Sequence, residues 1–186
     1  MKCKEGFKEE NGKCVKEKKT YCDTNILSAF LNRDDLINRF GRETARKYPH
    51  IAGRKDESTG IILKNLGKCQ ISKKALINDL KGHQASMGAI LTSIHLKDVD
   101  VVEVDGFKRG KKLFEKACES DIPDLDKFKR GFCIRNKLRK NLKANQIEDI
   151  RHIGSSMKLG STEFLTGDNE LISLNKNKGE IESFLN

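Results

Sequence analysis

Apolar positions along this 186-residue chain switch between short strand-like runs and longer stretches of helical spacing. Thr20-Tyr21-Cys22 reads as a short strand. Ile26, Leu27, Phe30, Leu36, Ile37 and Phe40 then fit a helix broken near Asn32-Arg33-Asp34. A polar stretch from Gly41 to Gly60, punctuated by Pro49, Gly53 and Gly60, separates this first unit from the next. Lys68 to Ile71 predicts a second strand, and Ser72 predicts the N-cap of a helix running to about Leu80 and ended by Gly82. Ile90 to Ile94 fits either state. Val99-Asp100-Val101-Val102-Glu103-Val104 is the clearest β-type run. Helical spacing returns at Lys111 to Cys118, a long helix capped by Asp124 reaches Lys143, and another spans Ile147 to Leu159. Glu163 to Thr166 is a further strand, and Ile181 to Leu185 a candidate last one.

Strands alternating with helices call for right-handed crossovers and a mainly parallel sheet with helices on both faces. The predicted class is therefore α/β. Residues 19–186 form one predicted domain, whereas residues 1–18 are too short and too charged to fold alone and read as a flexible, basic, Cys-containing tail in preference to a metal clip.

Composition narrows the function classes. Lys and Arg outnumber Asp and Glu by 37 to 27, a formal charge of +10, which points to a polyanionic partner such as a nucleic acid. No apolar run approaches the roughly 18 residues of a membrane span, and the first residues lack the apolar stretch of a secretory signal, so a cytoplasmic protein is expected. The six cysteines include no CxxC pair. Reduced thiols are the default, with Cys22, Cys69, Cys118 and Cys133 as small buried hydrophobes and Cys3 and Cys14 in the tail.

Two acidic turns carry the candidate chemistry. Asp23 follows the strand at Tyr21-Cys22, and Asp168 follows the strand at Phe164-Leu165-Thr166. Carboxyl ends of parallel strands line the ligand crevice of an open α/β sheet, so carboxylates far apart in sequence can meet there and bind a cation. Taken singly, each also reads as an ordinary helix cap or turn.

Asp23-Thr24-Asn25-Ile26-Leu27, Ile71-Ser72 with Asp79-Leu80, Asp149-Ile150-Arg151-His152-Ile153 and Phe164-Leu165-Thr166-Gly167-Asp168-Asn169-Glu170-Leu171 together resemble the ordered signature of a PIN domain, over residues 20 to 186. The resemblance implies a three-layer α/β/α sandwich around a mainly parallel sheet and metal-dependent cleavage of RNA. It implies a catalytic set of Asp23, Asp79, Asp149 and Asp168, where the second place is more often Glu, with Asn25 and Thr166 as polar companions. Mg²⁺ or Mn²⁺ suits such a set, because converging carboxylates need a compensating cation. Asp23, Asp149 and Asp168 are the expected ligands, Asp149 being alternatively a water orienter, and the shorter Asp79 reaches the ion through water.

Other residues have plainer readings. His152 shares a helix face with Asp149 and could approach the metal or substrate, although a surface or packed histidine is the expectation, and His50, His83 and His95 have no partner at zinc-ligand spacing. Asp98, Asp100, Glu103 and Asp105 are alternative acids around the Val-rich strand. Lys129, Arg130, Lys137, Arg139 and Lys140 lie on the predicted basic helix and are the expected nucleic-acid contacts, with Lys108, Arg109, Lys111 and Lys112 as a second cluster. The expected partners are single-stranded RNA, an antitoxin or processing-complex protein, and a second copy of the chain in a homodimer. Two further readings are a non-catalytic RNA-binding module and the toxin of a toxin–antitoxin pair.

Overall fold

A computed structural model describes residues 3–4, 6–16, 19–29, 42, 69–82, 87–96, 99–134, 136–137, 142–177, 179 and 181. Its centre is a four-stranded, all-parallel sheet of β3 (Thr20–Cys22), β4 (Cys69–Ser72), β5 (Asp100–Val102) and β6 (Glu163–Leu165), ordered β5-β4-β3-β6. Helices α1 (Thr24–Ala29), α2 (Lys73–Gly82), α3 (Met87–Leu96), α4 (Phe107–Glu119), α5 (Ala144–Lys158) and α6 (Asn169–Lys176) flank it. The expected α/β class with a parallel sheet is what the chain adopts. All of β3 is buried and β4 nearly so, whereas the edge strands β5 and β6 are half-covered, as expected when flanking helices bury the middle of a parallel sheet most deeply.

The strand order reverses direction at β3. From there the chain builds outward through β4 and β5, then returns on the opposite side as β6. The cleft beyond the carboxyl ends of β3 and β6 is therefore the topological switch point, where open α/β sheets bind ligands.

Local chemistry sets the element boundaries. Ser72 ends β4 and starts α2, its Oγ accepting from Ala75 N–H at 3.3 Å, as the sequence predicts. Ser72 Oγ also donates to the Val104 carbonyl (2.6 Å), and Val104 N–H turns back onto Val102 O (2.9 Å), so the Val-rich strand ends sooner than its composition suggests. Ile90 to Ile94 resolves as helix within α3, fastened to α1 by Ser93 Oγ donating to Leu27 O (2.7 Å). The continuation of the first helix to Phe40, and residues 182–185 of the last candidate strand, lie outside the described residues; Ile181 itself is helical and buried.

Two expectations are corrected. The long basic helix from Asp124 to Lys143 does not form as one α-helix: a 3₁₀ turn (Pro123–Leu125) leads to one α-turn (Asp126–Phe128) and then a π-turn (Lys129–Ile134). Phe128 and Phe132 stack at 5.3 Å and both meet Phe114 edge-on, at 5.1 and 4.6 Å, so this aromatic trio competes with regular helical geometry. Reduced thiols are not what the structure contains either. Cys3–Cys14, Cys22–Cys69 and Cys118–Cys133 are disulfide-bonded, joining β3 to β4 in the second case and α4 to the π-turn in the third.

Within the segment expected to be a flexible tail, β1 (Phe7–Glu10) and β2 (Lys13–Lys16) pair as an antiparallel hairpin. Asn11 and Gly12 turn it with φ of 52° and 74°, the left-handed pair that a two-residue hairpin turn requires.

The core has two clusters. One gathers Tyr21, Cys22, Leu27, Cys69, Ile71, Leu76, Ile90 and Val99 around the central strands and α1–α3; the other joins α4, the aromatic trio, α5 and α6. In the second, α4 and α5 approach until their backbones touch. A Cβ at Gly110 would lie 1.9 Å from the Ile150 carbonyl oxygen, and one at Gly154 would lie 2.0 Å from that of Gly106. Ser155 Oγ accepts Gly106 N–H (3.0 Å) across the seam. We predict that Gly110→Ala costs about 1–3 kcal/mol or more in urea denaturation, because backbone cannot yield to the added methyl. Gly88→Ala, where nothing stands within 4 Å, is the control and should be close to neutral. Equal stability of the two variants would show that the seam is not tight.

Candidate metal centre

Asp23 stands at the switch point because β3 ends there. Its N–H donates to Leu165 O (2.9 Å), prolonging the β3–β6 pairing to the last residue before α1. The residue is 3 % exposed. Its Oδ2 accepts from Asn25 Nδ2 (2.9 Å) and from Thr166 Oγ1 (2.8 Å), and Asn25 Oδ1 in turn accepts Gly167 N–H (2.9 Å). Asn25 and Thr166 thus clamp one carboxylate oxygen and fasten the turn after β6 to the turn after β3.

The other oxygen faces two groups from helices. His152 Nε2 on α5 lies 3.5 Å from Asp23 Oδ1 and 2.8 Å from Asp79 Oδ2 on α2. Thr24 Oγ1 bridges the two acids, 2.5 Å from Asp79 Oδ2 and 3.3 Å from Asp23 Oδ1. One donor atom each from Asp23, Asp79 and His152 lies within 4.8 Å of the others, close enough to share one ion. Asp79, expected to act through water, is therefore placed directly beside Asp23, and His152 is placed with them.

Asp149 sits one turn before His152 on α5. Burial, then the charges of Asp23 and Asp168, push its carboxyl up to about 8; Asp79 adds to this and His152 opposes it. Asp149 thus feels the charges of the other three predicted carboxylates. Asp168 also caps a helix, its Oδ1 accepting Glu170 N–H (2.7 Å) and Leu171 N–H (3.2 Å) at the start of α6. The cap reading of this residue is what the structure shows, and Asp168 is not among the three residues whose donor atoms come together.

His152 is fully enclosed. Burial alone would depress its pKa, but Tyr21, Asp23 and Asp79 outweigh burial and hold it well above the ordinary histidine value. These neighbours favour the protonated imidazole. Its Nδ1 meets Tyr21 Oη at 2.9 Å, and Tyr21 Oη accepts Ser72 N–H at 3.1 Å, so a buried tyrosine on β3 fixes the ring. Asp149-x-x-His152 spacing was the readable signal for His152; Tyr21 offered none beyond its place in a strand.

Neighbouring charges are structural. Glu148 accepts from Arg151 Nε (3.0 Å) and Asn78 Nδ2 (3.0 Å), tying α5 to α2, and Arg151 Nη1 reaches Asp105 at 2.6 Å. Although burial tends to raise its pKa, the Phe107 N–H and Arg151 hold the Asp105 carboxyl below its ordinary value. Glu103 pairs with Lys73. Asp105 and Glu103 are thus engaged outside the cluster, and Asp98 lies outside the described residues. Of the expected nucleic-acid contacts, Arg130 and Lys137 are exposed, Lys129 donates to the Ser120 carbonyl, and Arg139 and Lys140 lie outside the described residues.

Two carboxylate oxygens and an imidazole nitrogen, with two further acids nearby, are a donor set chemically suited to a divalent cation. Among the described residues no helix is long and apolar enough to cross a membrane. Comparison of the chain with protein-family models, with curated proteins and with solved structures finds no match.

A pH dependence follows. Because the folded Asp149 pKa of about 8 exceeds its ordinary 3.8, the folded state binds the proton more tightly than the unfolded state. Stability of the metal-free protein should therefore fall as pH rises between these two values, and Asp149→Asn should flatten that fall. Thermal melts in a chelator across this range measure it; an unchanged slope in the variant would remove Asp149 from the buried cluster.

Proposed function

We propose that the chain is a divalent-metal-dependent endoribonuclease of the PIN type. The observation that carries this reading is the grouping of Asp23, Asp79 and His152 at the switch point of a parallel sheet, with Asp149 one helical turn from His152, where burial and then the charges of Asp23 and Asp168 resist its ionisation. Such an arrangement is costly for a protein without a cation to receive. The excess of Lys and Arg, 37 against 27, supports a polyanionic substrate, and the resemblance of the acidic motifs supports RNA.

Hydrolysis of a phosphodiester forms a bond from water oxygen to phosphorus and breaks the bond to the leaving ribose oxygen, while negative charge grows on the phosphoryl oxygens. Mg²⁺ or Mn²⁺, when bound, supplies Lewis acidity toward those oxygens and acidifies a coordinated water. The chain's own residues do the positioning. Asn25 and Thr166 fix Asp23 in one orientation, so its other oxygen points to Thr24 and His152. Asp149 holds a proton near neutral pH in the metal-free chain; once ionised it can orient the attacking water and accept its proton. Asp168, held by its cap, presents a carboxylate on the β6 side of the cleft.

The test is cleavage of single-stranded RNA by purified protein with Mn²⁺. Asp23→Asn should lower the rate by about a hundredfold or more, since a ligand's share of charge stabilisation is worth several kcal/mol. Full activity in Asp23→Asn sinks the proposed site. RNA binding that persists without divalent ion, with no cleavage, would instead favour the non-catalytic binding module.

A further inference from the structure

Resting on the metal-dependent reading above, we propose that His152 Nε2 is a ligand of the bound ion alongside Asp23 and Asp79, and that the site therefore selects a first-row transition ion such as Mn²⁺ over Mg²⁺. Donors on one such ion sit about 2.0–2.2 Å from it and so lie no more than roughly 4.4 Å apart. The three donor atoms here are already within 4.8 Å of one another, so shifts of a few tenths of an ångström are enough to bring them onto a common centre.

The imidazole is built as a ligand is built. A metal-bound histidine normally uses its second ring nitrogen to hold a partner that fixes the ring, and Tyr21 Oη does this at Nδ1, 2.9 Å away. Tyr21 is itself immobilised: it is wholly buried, stacked on Phe164 at 5.7 Å, and bonded to Ser72 N–H. Nε2 consequently has one direction to face, toward Asp79 Oδ2 and Asp23 Oδ1. Coordination exchanges the Nε2–H···Asp79 hydrogen bond for a bond to the ion; that proton leaves to solvent, and Nδ1–H donates to Tyr21. A nitrogen in the set matters for selectivity. Mg²⁺ prefers an all-oxygen octahedron and retains its waters, whereas imidazole suits transition ions.

Pulsed electron paramagnetic resonance of Mn²⁺ bound to the full chain tests this without reference to catalysis. A nitrogen hyperfine coupling is expected, changing when histidine is labelled with ¹⁵N. The chain has four histidines, so the coupling should survive in the triple variant His50→Gln, His83→Gln, His95→Gln and vanish in His152→Gln. By calorimetry His152→Gln should weaken Mn²⁺ binding about ten- to a hundredfold and leave Mg²⁺ binding nearly unchanged. Should His152→Gln fail to fold, the wild-type and triple-variant spectra decide alone. Absence of Mn²⁺ binding, Mn²⁺ bound without a histidine coupling, or loss of the coupling in the triple variant overturns the proposal. Coupling without RNA cleavage defeats the nuclease reading only; Mn²⁺-dependent cleavage without coupling defeats the His152 ligand only.

Discussion

The Asp149 carboxyl keeps its proton up to about pH 8 because burial and the charges of Asp23 and Asp168 oppose its ionisation. Like charges gathered in a poorly solvated cleft repel, and the surrounding structure is arranged to hold them there nonetheless. Asp23 is clamped by Asn25 and Thr166, Asp79 is met by Thr24 and His152, and Asp168 is committed to the start of α6. His152 lies among these acids, which favour its protonated form. Without these hydrogen bonds the carboxylates would be expected to swing apart into solvent.

Holding them also demands a rigid frame. α5 carries both Asp149 and His152, and its position is set on one side by the glycine seam with α4 and on the other by Glu148 reaching Asn78 on α2. Arg151, between the two site residues, ties the same helix to Asp105 at the start of α4 and lies over the Phe107 ring. The strand side is equally constrained, since Asp23 N–H completes the ladder to Leu165 before the chain turns into α1.

Much of this frame was legible in the sequence. The described strands of the parallel sheet stood out as short apolar runs, Ser72 announced its cap, and Asp23 and Asp168 declared themselves by standing at strand ends. The parts that were not legible depend on contacts between distant segments. Tyr21 carries no sign that it will meet His152, and Asp79 carries none that its oxygen will lie beside Asp23 rather than a water away. Phe128 and Phe132 have ordinary α-helical spacing, so only their packing on Phe114 reveals the π-turn. The β1–β2 hairpin was not expected, because its segment is short and highly charged. The cysteine pairs were hidden because spacing does not determine which thiols meet.

Under the proposed metal-dependent reading, the structural role of Asp168 would serve a chemical one. By accepting two backbone N–H groups of α6, its carboxylate loses torsional freedom when the protein folds, not when a ligand arrives. Less side-chain entropy then remains to be surrendered on capture of an ion. The helix cap is thus also a device of preorganisation, and the beginning of α6 and the cleft it borders become a single thermodynamic unit: loosening either loosens both.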